Sequence, residues 1–215
     1  APRGLMQVFS DKTDWKEVTD KLGQTWEIEL NTYKPFACGI VIHPAIDACV
    51  QLREKHNLKP EQVAKVTLKA HPLVQELTGK KTPTDGLLAK FSVFHSCAVA
   101  LIYGRAGEHE YADDVVRSPL VIGVRDKVEL IVDRSIHEAS VDVTLETTDG
   151  QKHHIYIERA IGSLEKPMSN EQLKAKFVDQ STPILGAAKT EEAWNLCMSL
   201  AAQKDLKALL KSLTQ

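Results

Sequence analysis

Residues 85–103 carry Leu87, Leu88, Phe91, Phe94, Cys97 and Leu101 at helical spacing, an apolar face too broad for a helix that merely rests on a surface. Such a helix must be covered on most of its circumference, and Gly104 supplies its stop. The nearly uncharged run at 91–104 is too short to span a bilayer and is interrupted by serine and histidine, so the cover has to be protein. The flanking sequence provides it. Residues 63–71 alternate apolar and polar with period two, as do 127–132, 141–147 and 152–158. The last two runs are joined by Asp149-Gly150, for which a type I′ hairpin turn is predicted. Strands gathered around a buried helix predict an α+β fold.

The rest of the chain is read in the same way. Thr13 is a candidate N-cap for a short helix over 13–22, with Trp15, Val18 and Leu22 on one face and Gly23 as its stop. W-E-I-E-L at 26–30 alternates and reads as a short strand. From Pro44 the apolar positions Ala45, Ile46, Cys49, Val50 and Leu52 predict a helix to about His56. Gly79 and Pro83 make 72–84 a loop able to move, and 115–124 reads as a shorter helix broken at Ser118-Pro119. After Gly162 the character turns helical: Ser169 and Gln172 form a capping box opening a helix through Phe177, with further helices at 190–200 and 206–213. The resulting division is 1–32 as the end of a helical body with its linker, 33–161 as an α+β unit, and 162–215 as a helical return.

Composition narrows the function classes. A formal net charge of −2 and the lack of a basic stripe give no reason to expect nucleic acid or an anionic membrane as partner. Cys38, Cys49, Cys97 and Cys197 are scattered, with no C-x-x-C pair, which argues against a disulfide scaffold or a zinc module and fits a reducing cytoplasm. The chain starts Ala-Pro-Arg, so a processed product or a piece of something longer is expected.

Candidate chemistry gathers at residues 33–47, where a Pro- and Gly-interrupted turn brings Lys34, Cys38 and His43 to the start of a helix. Lys34 can neutralise and orient an anion, and His43, whose ordinary pKa lies near neutrality, is a candidate acid or base. The bland alternatives are a solvated turn lysine and a helix-start histidine bonded to nearby backbone. Cys38 is better read as a small apolar filler than as a nucleophile, and Cys49, Cys97 and Cys197 as core. Lys90 and Ser92 border the buried helix with His95 one turn on, and serve either a cleft or the helix cap. His153 and His154, adjacent in a strand, point to opposite faces and cannot chelate one metal together. Lys80, Lys81 and Arg105 default to solvated surface.

Four blocks taken together resemble the MmgE/PrpD family, which contains 2-methylcitrate dehydratases, cis-aconitate decarboxylases and iminodisuccinate epimerases. They are L-G-Q-T-W-E-I at 22–28, K-P-F-A-C-G-I-V-I-H-P-A-I-D-A at 34–48, A-K-F-S-V at 89–93 followed by A-V-A-L-I-Y-G to Gly104, and K-P-M-S-N-E-Q-L-K-A-K-F at 166–177. The resemblance implies an α+β lid inserted in a helical domain, with the active site in the cleft between them. It further implies a lyase or isomerase acting on a small di- or tricarboxylate by proton abstraction α to a carboxylate. On that basis His43 is the expected catalytic residue, and Lys34, Lys90 and Ser92 the substrate-binding ones, with no metal or organic cofactor. The family's long N-terminal helical part has no counterpart in these residues, and activity is not expected without it. Val74-Gln75-Glu76 lacks the tyrosine that some family decarboxylases place after the strand at 63–71, which favours dehydration or epimerisation. A homo-oligomer or a helical partner subunit is expected, and a non-catalytic anion-binding or assembly module is the alternative.

Overall fold

A computed structural model describes residues 4–12 and 14–214, and the chain divides into two compact units, Ala1–Thr32 and Tyr33–Gln215. The helix start expected at Thr13 lies outside the described residues.

The first unit holds two short helices, α1 (Leu5–Phe9) and α2 (Trp15–Thr19). Asp14 caps α2, its carboxylate accepting from the backbone amides of Lys16 and Glu17. The strand expected at 26–30 is instead a 3-10 turn, Glu27–Leu30. Period-two alternation makes a strand only where a neighbouring ladder takes its backbone groups, and Trp26, Ile28 and Leu30 stay exposed here.

In the second unit, α3 (His43–His56) begins with Pro44 in its first turn and stops at Asn57, which sits in the left-handed region. Strand β1 (Val63–Ala70) leads into α4 (Pro72–Thr78), a helix where a mobile loop was expected. Pro72 is a helix-starting proline here rather than a breaker, because a first-turn residue has no amide bond to lose. The single helix expected over 85–103 is two, α5 (Gly86–Ala89) and α6 (Val93–Tyr103). Ser92 makes the break by capping α6, its hydroxyl accepting from the His95 amide at 3.2 Å, while Gly39 N–H satisfies the freed Lys90 carbonyl at 3.2 Å. Gly104, at φ +70°, closes α6 as expected.

Helices α7 (Asp113–Val116) and α8 (Pro119–Arg125) follow, separated at Ser118 as the sequence implied. Strands β2 (Val128–Val132), β3 (Val141–Thr147) and β4 (Lys152–Ile157) complete a sheet of order β2-β1-β3-β4. Strand β1 runs parallel to β2 and antiparallel to β3, and β3 is antiparallel to β4. The crossover between the parallel pair is long enough to carry α4 to α8. The β3–β4 hairpin closes through Thr148, Asp149 and Gly150 rather than through a two-residue type I′ turn: only Gly150 has positive φ, and its N–H donates to Thr147 O at 2.9 Å. The chain ends in α9 (Asn170–Leu185), α10 (Ala187–Met198) and α11 (Lys207–Ser212). The capping box at Ser169 and Gln172 opens α9 as expected, but the helix runs well past Phe177.

Register explains the layering. Val128, Val66 and Leu145 fall in one cross-strand row, Leu130, Leu68, Val143 and Ile155 in the next, and Ala70, Val141 and Ile157 in the third. This apolar face takes α3 and α6. The opposite face is polar, with Lys65 paired to Glu129 at 2.6 Å and His154 to Asp142 at 2.9 Å. All of α6 except Tyr103 is buried, and each large apolar side chain removed from water there contributes about 1.5–3 kcal/mol before chain entropy is counted. Cys38, Cys49 and Cys97 are buried as expected, whereas Cys197 is exposed, because the α10 face that carries it has no cover among the described residues. No helix in the described residues is long and apolar enough to cross a membrane.

Two glycines separate packing from flexibility. A Cβ at Gly86 would fall 2.1 Å from the Tyr111 carbonyl oxygen, while one at Gly123, inside α8, would meet nothing within 4 Å. Gly86→Ala is therefore expected to lower stability by about 1–3 kcal/mol. Gly123→Ala should leave it unchanged or raise it by roughly 0.5–1 kcal/mol, both read from urea denaturation midpoints.

Candidate functional site

The segment after Tyr33 is held from several directions before it reaches α3. Ala37 N–H donates to Ala106 O at 2.9 Å, and Gly39 N–H to Lys90 O. Behind it the passage from β4 to α9 presses close: Gly162, at φ +85°, leaves room for no side chain, since a Cβ would lie 2.5 Å from the Tyr33 carbonyl oxygen and 2.7 Å from Pro35 Cδ. That passage is fastened in turn to Asp47, one turn into α3. The nearly buried Asp47 carboxylate accepts from Ile161 N–H at 3.0 Å, Lys166 Nζ at 3.2 Å and Gln51 Nε2 at 2.8 Å, so its charge is compensated where water is scarce.

These contacts form a groove of about 1140 Å³. Its walls come from residues 34–39, Leu87 of α5 with Lys90 and Phe91 in the break before α6, the 104–108 loop and the inward face of α9. The break before α6 turns Lys90 and Phe91 toward this space. Lys90 is committed to Glu108 at 2.7 Å, and Arg105 spans Glu110 at 2.9 Å and Asp179 of α9 at 3.2 Å. Glu110 is fully buried and also accepts from Gly107 N–H at 2.8 Å, which fixes the loop that Arg105 leaves. Of the acidic groups lining the groove, Glu108 and Asp179 are thus engaged, and Glu54 stands at the end of α3. Among the described residues Lys34 and Lys176 pair with no carboxylate. Lys34 Nζ makes only a long contact of 3.4 Å to Cys38 O, and Lys176 Nζ donates to the Lys34 carbonyl at 2.7 Å.

Of the residues expected from sequence, Lys34 and Lys90 therefore line the groove, while His43 and Ser92 lie beneath it. Ser92 is fully buried and occupied as the cap of α6. His43 is 3% exposed and meets the groove residue Phe36 edge-on, with ring centroids 5.3 Å apart. Burial pushes its imidazole down to about 4; the Cys38 backbone opposes this, and the ammonium groups of Lys34 and Lys176 add to it. His43 is thus a neutral imidazole at pH 7, and its Nε2 has no hydrogen-bond partner among the described residues.

Burial likewise pushes the Cys38 thiol up to about 11, only partly offset by the Tyr111 hydroxyl and the Lys34 charge, so it is no thiolate nucleophile. Tyr111 and Ser96, 2.9 Å apart through their hydroxyls, form the buried polar floor under Cys38. Among the described residues no three His, Cys, Asp or Glu side chains gather closely enough to hold a metal ion. His153 and His154 face opposite ways as expected, His153 stacking on His56 with centroids 3.8 Å apart.

Sequence reasoning missed Lys176, Tyr111 and Asp47. Only Lys176 left a signal: it falls four residues after Gln172 and three before Asp179, one face of a helix whose start the capping box marks.

The depressed pKa of His43 sets a pH dependence of stability. Unfolding returns the imidazole to its ordinary value of 6.5, so the unfolded chain binds the extra proton between 6.5 and about 4. The stabilisation is complete above pH 6.5 and is lost as pH falls through that window. His95, buried with its Nε2–H donating to Glu110 O at 2.9 Å, is shifted down by burial and acts with the same sign. Between pH 7 and pH 5 the His43 share is about 2 kcal/mol, and urea denaturation of His43→Gln should show a pH dependence flatter by that amount.

A family model for the MmgE/PrpD C-terminal domain matches residues 36–200, which include the α6 break, most of the helical return and the groove's first wall from Phe36 onward, but not Lys34 and Pro35. The chain is also similar to the cis-aconitate decarboxylase of Aspergillus terreus (strain NIH 2624 / FGSC A1156), with 24% identity over 217 residues covering 92% of this chain and 43% of the relative. It therefore spans less than half the length of that relative. On the strength of the family match, this chain belongs to the MmgE/PrpD family and carries its C-terminal domain.

Proposed function

We propose that this chain is the lid and helical return of an MmgE/PrpD-like lyase or isomerase, acting on a small di- or tricarboxylate by proton abstraction α to a carboxylate. Residues 33–161 are the lid, 162–215 the return, and 1–32 the end of the helical body. One observation carries the reading: the groove presents Lys34 without a carboxylate partner, on backbone braced from two sides, where an anionic substrate would supply the missing charge. Lys34 binds a substrate carboxylate. Lys90 contributes through its pair with Glu108, which substrate can share or displace, and Ser92 acts by capping α6 so that Lys90 stays at the groove. His43, neutral behind Phe36, is the group that accepts or relays a proton once the groove is filled. Dehydration and epimerisation are favoured over decarboxylation because Val74-Gln75-Glu76, shortly after β1, lacks the tyrosine that some family decarboxylases place there.

A second reading is a non-catalytic anion-binding or assembly module, favoured by the exposed apolar side chains of Ile184, Met198, Leu206 and Leu210 on the helical return. Such a surface favours association with another copy or a helical subunit.

Titration with citrate separates these readings. Saturable binding that Lys34→Met weakens by about tenfold or more supports the substrate reading. Deuterium incorporation at the carbon α to a carboxylate of 2-methylcitrate, by the protein together with any helical partner that co-purifies, supports the reaction class. No citrate binding, with a light-scattering mass above 23.9 kDa, would leave only the assembly role.

A further inference from the structure

Lys176 is the second groove cation without a carboxylate partner, and it reaches the groove from a different element than Lys34 does. It sits on the α9 face that also turns Gln172 and Asp179 inward. Asp179 is spent on Arg105, so the acid nearest along that face does not neutralise it. An ammonium has three donors. Lys176 uses one on the Lys34 carbonyl at 2.7 Å, and Lys34 uses one on a long contact to Cys38 O at 3.4 Å, which leaves both groups with donors for a ligand. The same bond sets the Lys176 ammonium at the backbone from which the Lys34 side chain springs, although the two residues are far apart in sequence, and both charges act on the one buried imidazole of His43.

Resting on the polycarboxylate reading of this groove, we propose that Lys34 and Lys176 form a two-ammonium clamp, each arm taking one carboxylate of the same ligand, so that Lys176 selects di- and tricarboxylates over monocarboxylates. The simpler role for Lys176 is a strut, its amine serving only to hold the Lys34 backbone. The two roles differ in what they require. A strut needs a donor at that position and no charge, whereas a clamp arm needs the charge.

The test compares succinate with butyrate at matched ionic strength on the full chain, by calorimetric or NMR titration, with folding of each variant checked by its urea midpoint. Wild-type protein should prefer succinate. Lys176→Gln keeps an amide donor for the Lys34 carbonyl and loses the charge, and it is expected to cut the succinate-over-butyrate preference about tenfold. Lys176→Arg should retain the preference to within about twofold. If Lys176→Gln keeps the full preference while Lys34→Met abolishes it, Lys176 is a strut and the clamp is wrong, with the polycarboxylate reading intact. If the wild-type protein shows no preference for succinate, both fall together.

Discussion

The constraint on which this molecule rests is the burial of α6. A helix apolar on nearly every side cannot be left at a surface, and each neighbouring element answers to that requirement: the sheet and α3 cover it from one direction and α8 from another. Most of the polar groups it carries inward find partners within the chain, His95 Nδ1 being left without one among the described residues. Ser96 meets Tyr111, His95 meets the Glu110 carbonyl, and Ser92 caps the first turn. The short break before α6 is made by Ser92, whose hydroxyl caps the helix while Gly39 N–H takes the freed Lys90 carbonyl. The groove borders that break. There the backbone leaves regular structure and delivers Lys90 and Phe91 to the groove, whose other walls are loops and the face of α9.

The groove is organised by tethers between segments distant in sequence. Asp47 binds the passage out of β4, that passage presses Gly162 against Tyr33 and Pro35, and Lys176 holds the Lys34 carbonyl. The result is a lysine on irregular backbone that cannot drift far, the requirement for a side chain that orients a charged ligand. Immediately behind lies the imidazole of His43, buried and neutral, its charge held off by burial and by the two ammonium groups.

Much of this was legible from residue order. Alternation over β1 to β4 and the apolar density of α6 required an α+β layer, because period two and period 3.6 cannot both be satisfied by one element type. Lys34 and Lys90 could be placed near a cleft, and Cys49 and Cys97 in the core. What was illegible depended on contacts between distant segments. Nothing at 26–30 says that its alternating face lacks a ladder, and nothing at Pro72 distinguishes a helix start from a stop. Lys176 could be placed on one helix face with Gln172 and Asp179, but its bond to residue 34 across the chain could not be read. Ser92 was readable only as a choice between cap and ligand, and the backbone geometry places it in the cap.

The most direct test is a competitive acetylation footprint of every lysine, with and without saturating citrate. Lys34 and Lys176 should be protected together, while Lys80 and Lys81, on the loop after α4, label at unchanged rates. Equal labelling of all four with and without citrate would mean that the groove does not hold the anion, and the reading of this domain as a polycarboxylate-binding lid would be wrong.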